Sequence, residues 1–147
     1  MISRTIDEYI KYFYPYPEFP IKVWNPETEE FREVSIQTGT GLLPDDHLIV
    51  KPIGKFDSEG NMLYQGDIVV VEIENKYGIS TRVGVIRTEG LWFCGIEYFD
   101  REGKITEEGD FIDEFYITSI KQIGHIFEVQ ATGVFDWEYF NEWGDLT

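Results

Sequence analysis

Three observations predict a mainly β fold for this chain of 147 residues. β-prone runs recur at short spacing from residue 21 to residue 129, and the turns between them carry Gly, Asn and Asp. One run, Ile68-Val-Val-Val71-Glu-Ile-Glu74, starts as continuous apolar sequence and ends in apolar–acid alternation. That pattern describes a strand buried on both faces at its start and on one face at its end. Short strands joined by such turns form an antiparallel meander that curls into a small barrel or sandwich, SH3-like in outline. To it the sequence adds a short N-terminal helix and an aromatic C-terminal tail that also fits a helix.

The elements follow in order. Thr5-Ile-Asp-Glu8 reads as a capping box, with Ile6, Tyr9, Ile10 and Phe13 on one helical face, until Pro15, Pro17 and Pro20 end the helix. Such a helix is expected to lid the core. Ile21-Lys-Val-Trp24 and Phe31 to Ile36 flank Asn25-Pro-Glu-Thr-Glu-Glu30, good turn chemistry for a hairpin. Residues 39–47 read as a loop, and Leu48 to Ile53 resumes an extended run.

The stretch from Lys51 to Glu72 organises the rest. Asp57-Ser-Glu-Gly60 is a polar turn; it lacks the further ligands of a calcium loop. Gly66 suits a corner that needs positive φ, with Asp67 beside it to bond local backbone. The three valines that follow are stiff at χ1 and favour the extended chain. Asn75 to Gly78 then turns into Thr81–Arg87, with Val83 and Val85 on one face, and a turn at Thr88-Glu-Gly90 leads to Leu91–Tyr98. There Trp92, Cys94, Ile96 and Tyr98 share a face expected to be buried. Glu107 to Glu114 reads as an acidic loop holding Phe111 and Ile112, and Phe115–Ile120 and Gly124–Val129 read as two closing strands. In the tail, Phe135, Tyr139 and Trp143 sit at helical spacing, while the alternation of Asp136 and Glu138 also fits a strand. The whole is expected to be one domain: 1–20 lead-in, 21–129 β domain, 130–147 tail.

Four of these motifs, in this order, resemble the YopX-like family of phage and prophage proteins. They are Ile21-Lys-Val-Trp24; Gly54 to Val69, with its Tyr-x-Gly-Asp-Ile-Val ending; Gly84-Val-Ile86; and Ile123-Gly-His-Ile-Phe-Glu128. The resemblance covers residues 21–129, leaves the proline-bounded start and the aromatic end outside, and meets a longer, more acidic segment between Tyr98 and Ile120. It implies a β-rich fold and a phage or mobile-element origin. It implies no catalytic residue.

Charge bounds the function. With 28 acids against 12 bases the formal net charge is −16, and each third of the chain is acidic. Such a field repels nucleic-acid phosphates and anionic membranes, so neither is an expected direct partner, and a basic protein is. One cysteine excludes an internal disulfide and a Cys-based zinc site. The sequence shows no signal peptide and no long apolar span, so a cytoplasmic location in a bacterial host is expected.

No nucleophile–base spacing, phosphate loop or dinucleotide fingerprint is present, so no catalytic residue, metal ligand set or cofactor is expected. Asp45-Asp46-His47 offers ligand atoms, but adjacent residues do not normally converge on one ion, and a solvated loop is the simpler reading. His125 lies in an apolar context and reads as a satisfied sheet residue. The residues that point to a function are acids: Glu107, Glu108, Asp110, Asp113 and Glu114 in one segment, with Asp136, Glu138 and Glu142 in the tail. Set on a β scaffold they imitate phosphate charge and would occupy a Lys/Arg-rich groove of a nucleic-acid-handling host protein, as an anti-defence inhibitor does. The alternative is a homo-oligomeric accessory module that buries Trp137, Tyr139, Phe140 and Trp143, with the Tyr12-Phe13-Tyr14 cluster, between subunits. A small-ligand binder or enzyme with a polar barrel pocket is a third reading.

Overall fold

The structure is a computed structural model and describes residues 4–5, 19–34, 42–43, 47–89, 93–100 and 102–128. It is mainly β, with every paired strand whose register is seen running antiparallel. Contacts divide the chain into two compact units, Met1–Gly54 and Lys55–Thr147. Among the described residues no helix is long and apolar enough to cross a membrane.

In the first unit, β1 (Arg4–Thr5) pairs with β4 (Leu42–Leu43), so the expected 39–47 loop contains a short strand. Residues 6–18, where the N-terminal helix is expected, lie outside the described residues. The expected hairpin is present: β2 (Ile21–Asn25) pairs with β3 (Glu30–Val34), and β5 (Leu48–Val50) adds on the other side of β2. Asn25 fixes the turn, its side-chain oxygen accepting the N–H groups of Glu27 and Thr28. Ile21, Val23, Trp24 and Val50 are buried, and Trp24 stacks at a tilt on Phe31.

The second unit is built on a five-stranded sheet. β6 (Pro52–Phe56), within which the division between the units falls, pairs with β7 (Met62–Tyr64) as a two-stranded ribbon. The sheet consists of β8 (Asp67–Asn75), β9 (Gly78–Glu89), β10 (Phe93–Phe99), β11 (Ile105–Phe111) and β12 (Ile117–His125), in the order β11-β10-β9-β8-β12. The first five residues of β8 are buried without interruption and the rest are largely open, as its sequence requires. Val83, Val85, Ile86, Ile96, Tyr98 and Phe99 complete the interior from β9 and β10. Sheet and ribbon make a small sandwich- or barrel-like unit.

Two acids tie the ribbon to the sheet. Asp57 receives the N–H groups of Glu59 and Asn61, which closes its turn, and that of Gln122 in β12. Its neighbour Ser58 bonds Ile120 in the same strand, donating through its backbone N–H and accepting through its hydroxyl. Burial alone would raise the Asp57 carboxyl, but these donors outweigh it and hold it below its ordinary value. Asp67, wholly buried, accepts the N–H of Tyr64 at 2.7 Å and the side-chain amide of Gln122 at 2.6 Å. Gly66 takes the expected positive φ, 79°, and His125 is indeed a satisfied buried residue, its Nε2 lying 2.6 Å from the Gln65 carbonyl.

The structure corrects the sequence reading in two further places. The segment read as an acidic loop is strand for most of its length: residues 105–111 pair with β10 although Glu, Gly and Asp are poor strand formers. Pairing with β10 outweighs that propensity, although none of the described side chains of β11 is fully buried. The two closing strands are one, β12, which keeps its pairing with β8 through irregularities at Ile117/Ser119 and Gln122/Gly124. It stops at His125, and residues 126–128 are helical, with the Phe127 N–H turned onto His125 Nδ1.

Candidate functional site

The second unit carries a groove of about 450 Å³ along β10 and β11, lined by Gly95, Ile96, Glu97, Gly109, Asp110, Phe111 and Glu114. Two of the lining residues are glycines inside strands. The register sets Gly95 opposite Phe111 and Glu97 opposite Gly109, and residues facing each other across an antiparallel ladder project to the same side. These two rungs therefore carry one side chain each, Phe111 and Glu97, and the rung between them, Ile96 opposite Asp110, projects to the other side. Gly109 is sterically required: a Cβ there would lie 2.7 Å from the Ile96 carbonyl oxygen.

The turn after β11 brings in the remaining wall. Ile112 is buried and donates its N–H to the Cys94 carbonyl, and Glu114 donates its N–H back to the Phe111 carbonyl. That pinned turn holds Glu114 beside Phe111, whose ring stays 56% exposed. The neighbouring Phe115 is 90% exposed.

The acids singled out from the sequence divide by their partners. Asp110 accepts the hydroxyl of Tyr98 at 2.6 Å and that of Tyr116 in a still shorter contact. Burial raises the Tyr98 hydroxyl far above its ordinary range, and its bond to Asp110 raises it further. For Tyr116 the bond to Asp110 comes first, and the hydroxyl is pushed up to about 12. Glu108 pairs with Arg82 at 2.7 Å, and that guanidinium lies 4.4 Å over the Tyr98 ring. Asp113 pairs with Lys55 at 3.0 Å. Among the described residues only Asp110 and Glu114 of the predicted set line the groove, and no cation pairs with Glu114. The side chain of Glu107, and Asp136, Glu138, Glu142, Trp137, Tyr139, Phe140 and Trp143, lie outside the described residues.

Compared with models of known protein families and with curated proteins, the chain matches none.

Glu97 and Phe111 are functional candidates that the sequence reading did not single out. Their signal was available in the two strand-interior glycines, which mark close backbone approach or a gap in a sheet face. Glu97 also faces Arg87 of β9 at 3.5 Å, so one guanidinium already borders the groove. Cys94 is half-buried, and burial pushes its thiol up to about 11, which removes thiolate character at neutral pH. Asp45 and Asp46 lie outside the described residues. Among the described residues no group of three or more His, Cys, Asp or Glu is placed to hold a metal ion.

Proposed function

We propose that this protein is a non-catalytic binding module that recognises a basic protein through the acidic face of β10, β11 and the turn that follows. The observation that carries the reading is the groove itself, which Glu97, Asp110 and Glu114 line together with the half-exposed Phe111. Carboxylates supply long-range attraction and sign selectivity, and an aromatic at the rim supplies contact area. The chain's overall charge of −16 extends the attraction beyond the groove.

The four ordered motifs that resemble YopX-like proteins support a phage or prophage setting in a bacterial cytoplasm. In that setting the partner is a nucleic-acid-handling host protein, and the acidic face occupies a surface that otherwise holds phosphate. The role is then inhibition of a nuclease or defence complex.

The test is capture by the tagged full chain from a nuclease-treated bacterial lysate containing candidate defence effectors, at low and moderate salt. A basic nucleic-acid-binding protein is expected, released as salt rises and lost when Glu108 and Glu114 are both changed to Lys. Asp110 is left intact because it holds two tyrosines. Capture that the double charge reversal leaves unchanged overturns the reading.

A second reading rests on a separate observation. Tyr77, Ile79, Phe111 and Phe115 are exposed apolar side chains of the second unit, which favours self-association. A concentration-independent monomer mass that Phe115→Ser leaves unchanged would remove it.

A further inference from the structure

We propose that His125 is a proton-operated latch: neutral, it fastens the end of β12 to the corner between β7 and β8, and protonated, it lets that end go. The inference goes beyond the binding reading above and does not rest on it.

His125 closes β12, is 3% exposed, and uses its two ring nitrogens in opposite ways. Nε2 lies 2.6 Å from the Gln65 carbonyl oxygen, which can only accept, so Nε2 carries the hydrogen. Nδ1 accepts the Phe127 N–H at 3.1 Å, so Nδ1 carries none. Together these partners select one neutral tautomer. The ring also fills the space beside Gly66, where a Cβ would lie 2.8 Å from Nε2. Next to it, the Gly66 carbonyl accepts the Ile126 N–H at 2.9 Å, and the Gly66 N–H bonds the Ile86 carbonyl. Ile126 in turn packs on the apolar cluster around Ile68 and Val70.

A second proton has one place to go, Nδ1, and the Phe127 N–H already points there. Two donors cannot share that line, so forming the imidazolium breaks the bond that holds residues 126–128 to the ring. It also places a charge in a buried site. Among the described residues, Asp67 of β8 stands opposite His125 in register, and Glu128 of the turn is exposed. The corner and β9 bring Gln65, Gly66 and Thr88, which are uncharged. Asp67 favours the imidazolium, but its carboxylate is already engaged by donors from Tyr64 and Gln122. Burial and the lost bond outweigh it, so the folded ring holds a proton less firmly than the unfolded chain does. The latch therefore contributes fully above the ordinary histidine value of about 6.5 and is lost as pH falls below it. Asp57 acts below 3.8, so the two windows are separate.

The experiment is a pH titration of the isotopically labelled full chain by NMR, following the His125 ring and the amides of Ile126 and Phe127. At neutral pH the ring nitrogens are expected to report the Nε2–H tautomer. The ring is expected to titrate below about 6.5. In the same step, amide exchange at Ile126 and Phe127, corrected for its intrinsic pH dependence, should quicken by about tenfold per pH unit. His125→Gln keeps a donor and an acceptor but cannot titrate, and should abolish that step. The amides of β10 should stay protected throughout in both proteins.

A ring that titrates at or above about 6.5, or that sits as the Nδ1–H tautomer, would overturn the latch. Titration without quickened exchange at Ile126 and Phe127 would overturn it as well. So would a ring that stays neutral until the whole sheet unfolds in acid, since His125 would then be a structural residue only. If His125→Gln fails to fold, the wild-type titration decides by itself.

Discussion

The carboxylate of Asp57 and the backbone N–H of Gln122 meet at 3.1 Å across 65 residues of sequence, and this bond closes the β6–β7 ribbon onto the outer edge of β12. The same carboxylate organises its own turn by accepting from Glu59 and Asn61. An edge strand left open invites pairing with other chains, and here a turn covers it.

Removing that acceptor should therefore be costly. Asp57 is 6% exposed, and Asp57→Ala, which leaves several part-buried donors without a charged partner, is expected to destabilise the protein by about 1–3 kcal/mol. Asp57→Asn keeps an acceptor oxygen and should lose about half as much. Urea unfolding of the two variants checks the order, and equal losses would deny the charge any part in it.

The pH dependence follows from the sign of the shift. The Asp57 carboxyl is held below its ordinary value of 3.8 in the folded protein, so the unfolded chain takes up the proton first as pH falls. Its contribution is complete above 3.8 and is lost as pH drops through the folded value. Stability of the wild type should decline more steeply below about pH 4 than that of Asp57→Asn. Parallel curves would contradict this.

Gly66 and Gly60 share nearly the same backbone, φ 79° and 85°, but not the same surroundings. A Cβ at Gly66 would lie 2.8 Å from His125 Nε2 and 3.1 Å from Ile126 Cγ2, whereas at Gly60 it meets open space. Gly60→Ala should lose only the left-handed strain, about 1–2 kcal/mol. Gly66→Ala adds displacement of a buried histidine and should lose about 3 kcal/mol or more. Thermal unfolding of both variants compares them directly.

Tyr116 titrates late because Asp110 accepts its proton in a hydrogen bond, with burial and the charges of Asp110 and Glu114 adding to the effect. The folded hydroxyl reaches about 12 against an ordinary 10.0, so the unfolded chain ionises first. The stability it contributes is present below pH 10.0 and lost as pH rises towards about 12. Ultraviolet titration of the phenolate, with Tyr116→Phe to assign the step, should show this group moving back towards its ordinary value in Asp110→Asn.

Arg82 serves two neighbours, the exposed Glu108 and the Tyr98 ring. An ion pair with an exposed carboxylate is worth about 0–1 kcal/mol, so Glu108→Gln should be nearly neutral. Arg82→Ala removes the stem and the cation over the ring as well, and should lose about 1–2 kcal/mol. Unfolding measurements that ranked the two in the opposite order would show that the ring contact contributes little.

The sequence by itself determined the β character, the Asn25 hairpin, the turns at Asp57 and Gly66 and the double burial of β8. These are local matters: β-branched runs favour extended chain, and Asn, Asp and Gly supply the turn geometries that end it. Tertiary structure decided the rest. Ile105, Thr106 and Phe111 suit a strand, but the Glu-Glu-Gly-Asp run between them does not and gains only from pairing with β10. Nor could a string of like-charged residues announce which would be drawn off by Arg82, Lys55 or two tyrosines and which would face a groove. Partners brought from 26 and 58 residues away made that division for Glu108 and Asp113, because an ion pair depends on distance in space and sequence order does not specify it.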